Sequence, residues 1–359
     1  LVAVTFKVHF VPANAAFVKS PWTAPENESD LTSAEEVSMD VSQVRSRVGD
    51  LRQFASVRRI VLDDGPERGV RALAFSTGGG LDFWGLSDRS MDIGPLTWRG
   101  NPIAWQSVTG FRAGNLVNLE ADDGRGFMRG FSGMLVTCGL DHVGQAKPGH
   151  PLHGQLPYTP ARLMSYGEDW ECEEPKLYCE AEIDQARHLG EALRLRRRLE
   201  APIGGTKLRI IDRVTNFGAE PQEHQILYHI NSGWPALDAG SVAFLDGKPL
   251  IPPFEPFPAD PKRGSVGFPS GPGPTACCAL TLPRLKARLE VRFDVATLPT
   301  VKVWRDPRPQ CHVLAIEPCT VPLDGDGAAP IILEPGQSRN YFVELSIVDD
   351  GAGHCVESK

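Results

Sequence analysis

The chain has 359 residues, of which 41% are hydrophobic and 23% charged, and its formal net charge is −8. This length accommodates one large β domain or two ordinary ones, with ample apolar surface to bury in either case. The acidic balance and scattered Lys and Arg argue against nucleic acid, whose backbone rewards clustered cations, and favour a neutral small-molecule partner.

With 36 Gly and 31 Pro, the chain reads as short strands joined by many turns rather than as a helical bundle. Its eight cysteines form no dense framework and read mostly as reduced thiols, which implies a cytoplasmic protein. No pair has CxxC spacing, so a structural zinc site has no support. No apolar run reaches the roughly 18 residues of a membrane span.

Residues 1–45 read as an N-terminal extension, mobile or strap-like, and residues 46–359 as the main domain. Leu1–Ala16 is modestly apolar and ends in Ala-Asn-Ala-Ala, but it lacks the basic start of a signal peptide. Pro21–Glu36 is polar, acidic and without periodicity. Apolar residues at Val41, Val44, Val48, Leu51 and Phe54 predict a short amphipathic helix over Val41–Ala55.

From Val57 onward the pattern is of strands. Ten stand out: Arg59–Leu62, Val70–Phe75, Met134–Thr137, Ala192–Leu199, Lys207–Thr215, Gln225–Asn231, Arg288–Phe293, Val301–Trp304, His312–Ile316 and Asn340–Ile347. So many strands with almost no helix predict an all-β fold of sheet packed on sheet. Thr77-Gly-Gly-Gly-Leu81 lacks the Lys-Ser/Thr of a phosphate loop and reads as a hairpin turn. Arg194, Arg196 and Arg198 alternate with apolar residues, as on a solvated sheet face. Pro252–Pro274 reads as a long irregular excursion, either a rim beside a site or a plain linker.

Three co-linear segments carry a family resemblance. Leu208–Asn231 holds a Thr-Asn-Phe-Gly turn followed by a strand with His229 and Asn231. Leu289–Trp304 followed by Val313–Pro318 ends in Glu317, and Ile332-Leu-Glu-Pro-Gly-Gln-Ser338 precedes a closing strand. Over residues 57–349 the chain resembles the aldose 1-epimerases (galactose mutarotase-like proteins). Asp88–Ile93, Arg129–Leu140 and Leu152-His-Gly154 look like a bacterial branch outside the galactose mutarotases proper. The resemblance implies a large antiparallel β-sandwich (supersandwich) with few short helices. It also implies a cofactor-independent isomerase interconverting the anomers of a free sugar or sugar acid. The partner is then a small-molecule carbohydrate, with neither nucleic acid nor membrane, and with room for a homodimer.

Anomer exchange needs a base for the anomeric hydroxyl and an acid for the ring oxygen, which a carboxylate and an imidazole can supply near neutrality. By resemblance, Glu317 is the general base and His229 the general acid. On residues alone, Glu317 reads as a strand-end surface carboxylate or a functional one, and His229 as a core histidine or one aimed at a polyol. His153 matches the family's earlier His-Gly motif, although Gln155 and the distant Arg162 depart from the Arg that usually follows. Asn231 shares a strand face with His229 by the period of two. Arg89, Asp92 and Arg129 sit near Gly-rich corners and suit either substrate contacts or structural ion pairs. Trp304 suits either a sugar-facing ring or core packing. His150 and His153 lack the HExxH pattern of a zinc site, and no metal is expected. Two further readings keep the same residues: proton transfer or elimination on a modified keto-sugar, and a carbohydrate-binding domain without catalysis.

Overall fold

The computed structural model describes residues 41–321, 323 and 331–350, all within one compact unit. The predicted extension lies outside the described residues except for its last turn. The helix predicted over Val41–Ala55 is shorter than its periodicity suggested. It is reduced to α1 (Val41–Arg45) and a 3-10 turn at Leu51–Gln53. Gly49 and Asp50 interrupt it, because Asp50 is extended and caps the second turn by accepting from the Arg52 amide at 2.9 Å.

Among the described residues all strand pairings are antiparallel, and the fold is the expected β-sandwich with few short helices. The first sheet is a meander of β1 (Ser56–Val61), β2 (Arg71–Ser76), β3 (Leu81–Leu86), β4 (Asp92–Trp98) and β5 (Asn101–Pro102). The Gly-rich turn joins β2 to β3 as a hairpin, with Gly78 and Gly80 at positive φ. Then come β6 (Leu135–Leu140), β7 (Arg162–Asp169), β8 (Lys176–Ala186), β9 (Ala192–Pro202), β10 (Lys207–Asn216) and β11 (Gln222–Gly233). The remaining strands are β12 (Ala243–Leu245), β13 (Lys248–Pro249), β14 (Gly264–Pro269), β15 (Thr275–Leu282), β16 (Ala287–Asp294), β17 (Thr300–Asp306), β18 (Val313–Cys319), β19 (Ile331–Leu333) and β20 (Ser338–Asp349).

A nine-stranded sheet runs β13-β12-β15-β16-β20-β10-β9-β8-β7, and a third sheet runs β14-β17-β18-β11-β19 with β6 also paired to β11. The main core lies between them. Leu195, Leu199, Ile210, Val291 and Val343 of the large sheet share one apolar cluster with Ile226, Tyr228, Ile230, Val303 and Ile316 of the other. Alternation therefore turns Leu227, His229, Asn231, Glu317 and Cys319 to the opposite face of that sheet. That face carries a second, smaller apolar cluster with Trp105, Phe127, Phe131 and Tyr158 from the long connection between β5 and β7.

The excursion predicted over Pro252–Pro274 is partly ordered, because β14 pairs along β17 from Gly264↔Arg305 to Pro269↔Thr300. It is an exposed edge strand with no apolar alternation, hence silent in the sequence. Arg194, Arg196 and Arg198 do share a cross-strand ladder of carboxylates: Arg194 with Asp184, Arg196 with Glu182, and Arg198 with Glu180 and Glu200. Arg197, on the other parity, points inward. Fully buried, it bonds Asp212 through Nε (2.9 Å) and Nη2 (2.7 Å), and Asp92 through Nη1 (2.7 Å). The Tyr228 hydroxyl donates to Asp212 at 2.8 Å. This network ties β4, β9, β10 and β11 together. Among the described residues, no helix is long and apolar enough to cross a membrane.

Candidate functional site

Three neighbouring strands bring the central groups into one row. β11 and β18 pair with Ile230 opposite Ile316 and Leu227 opposite Cys319, a register that sets His229 opposite Glu317. β17 pairs with β18 so that Lys302 stands directly opposite Glu317 and Trp304 opposite Ala315. Directly paired residues project to the same face, so His229, Glu317 and Lys302 form a line across the sheet, with Asn231 and Trp304 in the next row.

Hydrogen bonding fixes the state of the imidazole. The Asn231 amide nitrogen donates to the carbonyls of Gly133 and His229, both at 3.0 Å, which leaves its Oδ1 as acceptor. That oxygen lies 2.5 Å from His229 Nδ1, so Nδ1 carries the proton and Nε2 faces Glu317. Nε2 is 3.1 Å from Glu317 Oε1, yet the angle falls outside hydrogen-bond geometry and leaves Oε1 without a donor. Both side chains are nearly buried, at 6% and 5% exposure. Burial raises the pKa of Glu317, opposed by the nearby Lys302 cation and by His229 when its ring is protonated. A carboxyl that holds its proton longer than usual therefore sits against an imidazole nitrogen that is bare in the neutral ring and can accept one.

Aromatic rings enclose the pair. The His229 ring lies 4.9 Å from Phe131, 5.5 Å from Trp304 and 6.1 Å from His153, centroid to centroid. His153 also packs on Phe127 at 5.1 Å, and its Nδ1 is buried without a partner. Burial, aided by the neighbouring His229, pushes the pKa of His153 down to about 3, so it stays neutral. Gly154 sets this position: its φ is +78°, and a Cβ there would lie 2.3 Å from the Gly139 carbonyl oxygen and 2.6 Å from that of His142.

The structure thus brings together His229, Glu317, His153, Asn231 and Trp304. Two other candidates are drawn elsewhere. Asp92 is spent inside the protein: its carboxylate accepts from the Thr137 hydroxyl (2.6 Å), the Thr137 amide (2.9 Å) and Arg197, and burial lifts its pKa to about 6. Arg129 is half-exposed and committed to Asp122 at 2.6 Å, so a surface ion pair accounts for it. Arg89 is fully buried beside the site layer, donating to the Ser132 carbonyl at 3.1 Å and stacking over Tyr158 with 5.0 Å to the ring centroid.

Sequence reading missed Lys302, Phe127 and Phe131. Lys302 shares strand parity with Trp304, so its face was readable, but the register that sets it against Glu317 was not. Among the described residues, no group of His, Cys, Asp and Glu is arranged to hold a metal. The described cysteines are free thiols.

Comparisons with known proteins agree with this architecture. The chain is similar in structure to a protein from Klebsiella pneumoniae provisionally described as an aldose 1-epimerase, with 21% identity, 88% of each chain covered and a TM-score of 0.74. A galactose mutarotase-like protein from Clostridium acetobutylicum shares 12% identity, with 82% of this chain and 98% of that chain covered and a TM-score of 0.55. A protein from Salmonella typhimurium provisionally described as a mutarotase shares 14% identity, with 82% and 94% covered and a TM-score of 0.57. At these identities the likeness is one of fold. No curated protein matches the chain. A family model for a domain of unknown function, DUF4432, matches residues 67–261, more than half of the sequence. The chain therefore belongs to the DUF4432 family and carries it on a galactose mutarotase-like β-sandwich.

Proposed function

We propose that this protein is a cofactor-independent isomerase of the aldose 1-epimerase type, moving protons on a free sugar through His229 and Glu317. The observation that carries the reading is the row His229, Glu317, Lys302: an imidazole of fixed tautomer 3.1 Å from a buried carboxyl, with a cation paired across the next strand. Glu317 takes the proton of the anomeric hydroxyl, and its donorless Oε1 is the atom that would accept it. For the acid role His229 enters as imidazolium, its Nδ1–H held by Asn231 Oδ1, and delivers the second proton from Nε2 to the ring oxygen, which leaves the neutral Nδ1–H ring. The C1–O bond to the ring oxygen breaks, the aldehyde rotates, and the reverse transfers close the ring on the other face. Neutral His153 is positioned to bond a hydroxyl, and Trp304 and Phe131 offer ring faces to the sugar's C–H groups. Lys302 limits the cost of a carboxylate there.

Anomer exchange followed by saturation-transfer NMR across hexoses, pentoses and uronic acids tests this. Exchange is expected above the buffer rate for at least one sugar, and Glu317→Gln should remove it while leaving binding largely intact. Exchange at the wild-type rate in Glu317→Gln would overturn the assignment, and binding without exchange would favour a purely carbohydrate-binding role.

A further inference from the structure

We propose that the sugar taken by this site carries an anionic substituent, a carboxylate or a phosphate, received by Arg89 and Arg112. The inference rests on reading the His229 and Glu317 pair as a sugar site, and names the class of sugar.

Arg89 is 0% exposed, and its Nε and Nη1 meet no acceptor among the described residues. Among the described residues its guanidinium makes one hydrogen bond, from Nη2 to the Ser132 carbonyl, and its plane lies over Tyr158. A buried guanidinium with unmet donors is costly, and stacking on a ring replaces only part of its hydration. The half-buried Arg112 shows the same anomaly at one atom, since its buried Nε meets no acceptor among the described residues. The chain carrying Arg112 passes beside the one carrying Arg89. A Cβ on Gly114 would lie 3.5 Å from the carbonyl oxygens of both Asp88 and Tyr158, which sets the Arg112 segment between them.

Neighbouring acids are engaged elsewhere. Asp88 holds Arg71, the Glu67 carboxylate accepts from the Phe111 amide at 2.7 Å, and Asp92 is held by Thr137 and Arg197. The missing acceptor is therefore external. The place also adjoins the reacting groups. Ser132, which Arg89 touches, lies between Phe131, packed on His229, and Gly133, whose carbonyl takes the Asn231 amide. Planar guanidinium groups suit carboxylate and phosphate oxygens, whereas a neutral hydroxyl would leave their charge uncompensated.

The test reads binding apart from turnover. The full chain bearing Glu317→Gln is titrated by calorimetry with a hexuronate, a hexose 6-phosphate and a neutral hexose, then again with Arg112→Gln or Arg89→Lys added. One anionic sugar should bind at least about tenfold tighter than the neutral one, as charge-assisted hydrogen bonds imply. Arg112→Gln should erase most of that preference without changing neutral-hexose affinity, and Arg89→Lys, which keeps the charge but loses the planar fork, should weaken it. The arm that shows the preference identifies carboxylate or phosphate. Equal binding of all three sugars, or a preference untouched by Arg112→Gln, would overturn the inference. Wild-type exchange of neutral hexoses with no anionic preference would leave the isomerase reading standing. Selective anion binding with no exchange of any sugar would remove that reading and keep the anion site.

Discussion

Asn231 converts an ambiguous imidazole into one with a defined proton. Because its amide nitrogen is spent on two carbonyls, only its oxygen can face His229 Nδ1. Asn231→Leu should leave Nδ1–H unmet and scramble the tautomer, lowering kcat by about tenfold or more with KM little changed. Asn231→Asp keeps an acceptor and adds a charge that favours the imidazolium. If His229 acts as the acid, the basic limb of the rate profile should then move to higher pH, measurable by NMR exchange rates from pH 6 to 9. A second histidine sets a stability limit. His224 is buried, with Nδ1 on the Leu140 carbonyl at 2.8 Å and Nε2 on the Tyr341 hydroxyl at 2.7 Å, and burial pushes its pKa down to about 4. Its folded pKa lies below the unfolded value near 6.5, so the fold binds fewer protons than the unfolded chain between those values. Stability is then full above about pH 6.5 and is lost as pH falls toward 4, by about 2 kcal/mol at pH 5 from this group alone. Urea unfolding at pH 7 and pH 5 reads the difference, and His224→Gln should flatten it. His153 contributes in the same direction, with its lower limit near pH 3.

At the scale of elements, β9 carries both a wet face and the buried Arg197, which joins Asp212 on β10 to Asp92 on β4. Arg197→Leu strands two buried carboxylates and should cost about 3 kcal/mol or more in urea unfolding at pH 7.5. The deficit should shrink toward pH 5, because stranded carboxyls take up protons in the fold and a raised folded pKa favours the native state as pH falls. The parity of Leu193, Leu195, Arg197 and Leu199 placed Arg197 on the apolar side in the sequence itself; three exposed arginines beside it masked the signal. The ten strands read from sequence all fall on observed strands, since each carried branched or alternating apolar residues. Two of the strands missed had weak faces. β8 presents Leu177, Cys179, Ala181 and Ile183 between acidic residues, and β14 is exposed on both faces. His229, Asn231 and Glu317 were legible through the family-like segments. Lys302, Phe127 and Phe131 depended on cross-strand register and on a long connection folding back over the sheet, neither of which periodicity encodes.

Across the whole molecule, the third sheet has two unequal apolar sides. The large cluster between the sheets holds Cys179 and Cys278, while the smaller cluster over the candidate site holds Cys138 and Cys319. All four thiols are buried, and burial raises the pKa of each. Thiol labelling therefore reports opening rather than intrinsic reactivity. On the proposed reading a sugar reaches His229 and Glu317 through movement of the Trp105–Tyr158 layer, because both groups are nearly buried. That layer rests on loops and short 3-10 turns with a small apolar contact, the kind of unit that opens below the global unfolding free energy. Cys138 and Cys319 should thus react with a thiol reagent at least about tenfold faster than Cys179 and Cys278 in native buffer, followed by mass spectrometry of the labelled peptides. Saturating sugar should slow the first pair and leave the second unchanged, since a ligand bound under the layer stabilises only the closed form. Equal rates for all four thiols would mean that the site opens only with global unfolding, which is too rare an event to admit substrate during turnover.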